Sequence, residues 1–89
     1  MLYLVFTNMN ISLVDMTNCK ELKEISGYTF GNNNYLAIFK LGSIIPPTIS
    51  DKFYGIPAYA ALKVPSESVD AYKLSDWGKY FSQISSLEE

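Results

Sequence analysis

The sequence predicts an α/β repeat fold, a short solenoid of mostly parallel strands closed by a C-terminal helical cap. Three observations predict it. A ten-residue pattern of apolar and turn-forming residues recurs along the chain. Near the C-terminus a strand, a proline stop and two helical stretches follow one another. And 89 residues, 48% apolar and 15% aromatic, make one domain with enough apolar mass to fold without disulfides. A small α+β domain is the alternative. The chain divides into N-terminal strands (1–15), degenerate repeats (16–64) and the cap (65–89).

Leu2 to Phe6 reads as a strand, because Tyr3, Val5 and Phe6 favour extended backbone. Asn8 and Asn10 suggest a turn, and Ile11 to Met16 a second strand. The recurring pattern begins at Met16 and runs to Ile25. It can be laid over Phe30 to Phe39, and again over Phe53 to Leu62. In each copy a large apolar residue is followed two places on by Asn or Gly, which tolerate positive φ in a turn. Six places on comes Leu or Tyr, and nine places on a further apolar residue, both facing a shared core. Units of this kind cannot bury that core alone and must stack.

The second and third copies lie 23 positions apart, the first and second only 14. An interval of 14 is too short for a full coil of the same shape, so the first coil is expected to be shortened or distorted. Between the later copies, Ile44 to Ile49 is an apolar stretch broken by Pro46 and Pro47. It should run extended.

In Ala61 to Val64, Leu62 and Val64 alternate with Ala61 and Lys63, giving one apolar face. Pro65 ends the strand, having no N–H for a ladder. Ser66 can cap the next helix, with Glu67 and Asp70 near its positive end. Val69 and Tyr72 share a face, and Ser75 can start another turn. Trp77, Tyr80, Phe81 and Ile84, spaced 3, 1 and 3, fall on one side of a helix. Trp77, Tyr72 and Phe81 should lie buried over the last coil.

The run Leu62 to Lys73, followed by Trp77 and Phe81, resembles the C-terminal cap of BspA-like leucine-rich-repeat proteins. Tyr28 to Leu36 is similar to that family's turn segment, and Cys19 falls where the family has a buried cysteine, with Asn33 in its place in the next copy. The family also has a Pro-Pro-Thr segment like Pro46-Pro47-Thr48. The resemblance implies a solenoid of short parallel strands, secreted or displayed on a bacterial surface and used for adhesion or protein binding.

The residues themselves point away from catalysis. Cys19 could be a nucleophile, but the chain has no histidine to activate it, and a small buried residue in a turn is the plainer reading. No histidine and one cysteine exclude structural zinc. Gly-rich phosphate motifs are absent. Asp51, Asp70 and Asp76 open turns or helices, and Glu88 and Glu89 are terminal and solvated. Asn32 to Asn34 could hold a sugar or ion, though a turn explains them. Tyr72, Trp77, Tyr80 and Phe81 could stack on a ligand, though helical spacing makes them a core stripe. A net charge of -2 without a basic cluster argues against nucleic acid and anionic membranes.

No run reaches transmembrane length, and Met1 to Phe6 lacks the features of a signal peptide. The expected function is therefore a protein-binding or structural module, with no catalytic, cofactor or metal residues assigned and the partner open. The alternatives are the C-terminal remnant of a longer surface protein and an enzyme using Cys19. Leu2 to Phe6, an uncharged window of high strand propensity, is expected to pair with its copy in a homodimer.

Overall fold

A computed structural model describes residues 11–25, 35–50 and 55–88. Alternating burial sets the strands. In β1 (Leu13–Met16), Val14 and Met16 are buried while Leu13 and Asp15 are exposed. The same alternation recurs in β3 (Ile38–Leu41), β5 (Ala61–Val64) and β6 (Gln83–Ser86). Among the described residues these four strands form one sheet in the order β1-β3-β5-β6. Every pairing is parallel. Leu13 pairs with Ile38, Ile38 with Ala61, and Ala61 with Gln83, steps of 25, 23 and 22 residues. A second parallel pair joins β2 (Glu24–Ile25) to β4 (Thr48–Ile49), with Glu24 opposite Thr48, a step of 24. With two short helices, α1 (Val69–Leu74) and α2 (Trp77–Tyr80), this is a small α/β domain. A small α+β description also fits this set of elements.

The core lies under the sheet's inner face. Val14, Phe39, Leu62 and Ile84 stand in one register row across all four strands. Ile25 and Leu36 close it from the side, both fully buried. Tyr72, Trp77 and Phe81 close it from below. Phe39 is central: its ring lies 5.7 Å from Trp77 and 5.9 Å from Phe81, at the tilted and edge-on angles aromatic pairs favour. The buried polar atoms of these large side chains are satisfied. Trp77 Nε1 donates to Pro47 O at 2.9 Å and Tyr72 OH to Ser43 O at 2.7 Å. Burial pushes the Tyr72 phenol well above its ordinary pKa.

Hydroxyls tie successive loops together at a constant interval. Ser43 Oγ donates to Cys19 O, Ser68 Oγ to Ile44 O and Ser82 Oγ to Ala58 O, each across 24 residues. Gly42 marks a close approach in the same region. A Cβ there would sit 1.9 Å from Thr17 O, so no side chain fits without moving backbone.

Several expectations hold. Leu62 and Val64 face inward, Pro65 follows the last strand residue, and Trp77, Tyr72 and Phe81 are buried together. Ser75 does start the next turn: its Oγ accepts the Trp77 N–H at 3.3 Å.

Others are corrected. Ser66 does not cap a helix but opens a 3-10 turn (Ser66–Ser68). Ser68 then precedes α1 without capping it, since its hydroxyl is spent on Ile44 O. The expected helical end stops at Tyr80. Phe81 turns extended, with φ -121° and ψ 113°, and Ile84 lies in β6. The open edge of β5 offered a ladder, and Ile84 and Ser86 alternate inward as a strand requires.

The register of the first copy is also different. Ile25 was laid level with Phe39 and Leu62, but Val14 is the residue opposite Phe39, and Ile25 pairs with Ile49 in the other sheet. The first pairing step is thus 25 residues, comparable with the later ones and not a shortened 14. Of Ile44 to Ile49, only Thr48 and Ile49 form a strand, after a bend at Ile44 and Ile45. Leu2 to Phe6, Phe30, Asn32 to Asn34, Asp51 and Phe53 lie outside the described residues.

Candidate functional site

Cys19 is exposed, which corrects its expected burial. Its N–H closes a turn onto Met16 O at 3.0 Å. Ser43, 1% exposed, is the buried residue at this level, and its hydroxyl reaches out to the Cys19 carbonyl. The hydroxyl that links the loops sits on the later loop, so the thiol is left at the surface. The aromatics raised as stacking candidates offer little ring surface: Tyr72 and Trp77 are 0% exposed and Phe81 2%. Tyr80 is half-buried against the core. Asp76 opens α2 without a capping bond and pairs with Lys79 at 3.2 Å on the surface. Among the described residues no group of three His, Cys, Asp or Glu side chains is placed to hold a metal ion, and no helix is long and apolar enough to cross a membrane.

Two surfaces remain. The first is the outer face of the four-stranded sheet. Register lines its residues up in two rows, Leu13-Ile38-Ala61-Gln83 and Asp15-Lys40-Lys63-Ser85. One row is mainly apolar and the other charged. Lys40 and Lys63 stand directly opposite each other, an arrangement that like charges disfavour. Asp15, on the other side of Lys40, is ionised early. Its carboxyl is held below the ordinary range first by the Thr17 hydroxyl, then by the Thr17 N–H at 3.0 Å, with Lys40 adding to this. Tyr35 and Tyr59, 63% and 56% exposed, lie just before β3 and β5.

The second surface is a groove of about 580 Å³ across the loops that follow β1, β3 and β5. Its middle carries Ile44 and Ile45, 56% and 79% exposed, beside Pro46. Neither surface was legible beforehand. The lysine pair becomes visible only once the 23-residue step is known. Ile44 and Ile45 read as part of an apolar run, and nothing in that run says they turn outward at a bend.

No family model, curated protein or solved structure matches this chain.

Proposed function

We propose that this chain is a non-catalytic protein-binding module, a short leucine-rich-repeat-like solenoid of the BspA-like kind, acting at a bacterial surface or outside the cell. One observation carries the reading: parallel strands pair in chain order at steps of 25, 23 and 22 residues. Stacked repeats of 20–29 residues give that step. The hydroxyl ties at 24-residue intervals and the aromatic closure at Tyr72 and Trp77 support it. So does the resemblance of Leu62 to Lys73 to the family's cap. Stacked repeats present their strands as one extended surface, which is where such proteins take hold of partners. Here that surface is the outer sheet face, with Ile38 and Ala61 as its apolar contact and Lys40 as its charge.

The test is binding of the whole chain to a panel of immobilised extracellular-matrix proteins. Saturable binding to at least one is expected, weakened roughly tenfold by Lys40→Glu through charge reversal at the contact. Cys19→Ser should leave it unchanged. Binding to none of the panel, or loss of function with Cys19→Ser alone, would contradict the reading.

A further inference from the structure

We infer that the groove over the loops after β1, β3 and β5 receives a second copy of this chain, antiparallel about a twofold axis. The inference stands apart from the sheet-face reading and rests on how the groove is laid out.

The three loops lie side by side in the order of their strands, β1-β3-β5. Ser43 Oγ to Cys19 O joins the first to the second, and Ser68 Oγ to Ile44 O the second to the third. The first loop brings Lys20 and Lys23 to the groove, with Glu21 between them, a net positive end. The middle loop brings the exposed Ile44 and Ile45. The third brings Glu67, a negative end. The groove therefore runs from basic through apolar to acidic.

A half-turn about an axis through the isoleucines lays the basic end of one copy on the acidic end of the other, at both ends at once. An isologous interface demands this: one patch complementary to itself. The isoleucines supply the apolar centre that a stable interface needs, and the charges form its rim. Two adjacent large aliphatic side chains left open beside a groove are also the kind of exposed patch that marks an interaction site. A partner of a single charge sign would be repelled at one end.

Sedimentation velocity of the full chain across the micromolar range tests this. The wild type should shift from monomer to dimer as concentration rises. Ile45→Lys, at a side chain largely outside the core, should be monomeric with an unchanged circular dichroism spectrum. Glu67→Lys alone should raise the dimer Kd roughly tenfold, by facing like charges across the axis. Adding Lys23→Glu to that variant should restore it. A wild type that stays monomeric throughout overturns the inference. So does a dimer indifferent to Ile45→Lys, one dissolved by Val5→Lys alone, or a charge swap that fails to restore association.

Discussion

Trp77→Ala is expected to lower the free energy of unfolding by about 3–5 kcal/mol, the usual cost of removing a large buried aromatic. Total stability for a domain this size is on the order of 5–10 kcal/mol, so a large part of it is at stake. The cost has three sources. Trp77 is fully buried, so its transfer energy is lost and a cavity is left. Its ring touches Phe39, Tyr72 and Phe81, with centroids 5.7, 6.2 and 6.1 Å away, so the cavity opens beneath the centre of the sheet. And its indole N–H satisfies the buried Pro47 carbonyl. Trp77→Phe separates these sources. It keeps most of the ring and should lose only about 1–3 kcal/mol, the cost of the unmade hydrogen bond. Urea unfolding at neutral pH measures both. A loss under about 1 kcal/mol for Trp77→Ala would mean the residue does not close the core.

Gly42→Ala is expected to destabilise by about 3 kcal/mol, the upper end for overpacking. A single methyl rarely does so much. Here it would meet Thr17 O at 1.9 Å and Thr17 C at 2.7 Å, both main-chain atoms that cannot rotate aside. The Gly42 N–H also donates to Met16 O at 3.3 Å, so separating the two segments to make room strains that bond. The variant should lower the urea midpoint without changing the slope. An unchanged midpoint would place β1 farther from the end of β3 than the register Met16–Leu41 requires.

What the sequence disclosed was local. Leu62 and Val64 alternate over four residues, Pro65 stops the ladder, and the aromatics after Ser75 gather where a core must be closed. Each of these depends on neighbours a few places away. What it hid was pairing at a distance. Ile25 satisfied the apolar pattern as well as Val14 does, and only the stacking of strands decides which stands beside Phe39. Ile84 sits three residues after Phe81, a helical interval. The free edge of β5 overrode that interval, as tertiary hydrogen bonds commonly override weak local preference. Cys19 went astray for a related reason. A cysteine in a turn reads as buried, yet the inward place at this level belongs to Ser43, 24 residues later. The surfaces were hidden by the same gap, since Lys40 and Lys63 become neighbours only through the register.

The central claim is that strands in chain order pair in parallel at a nearly constant step. Interstrand backbone NOEs in solution test it most directly. The account predicts contacts joining Val14 to Phe39, Phe39 to Leu62 and Leu62 to Ile84, with Ile25 joined to Ile49. Backbone contacts placing Ile25 beside Phe39, or medium-range helical contacts running unbroken from Trp77 through Ile84, would contradict it.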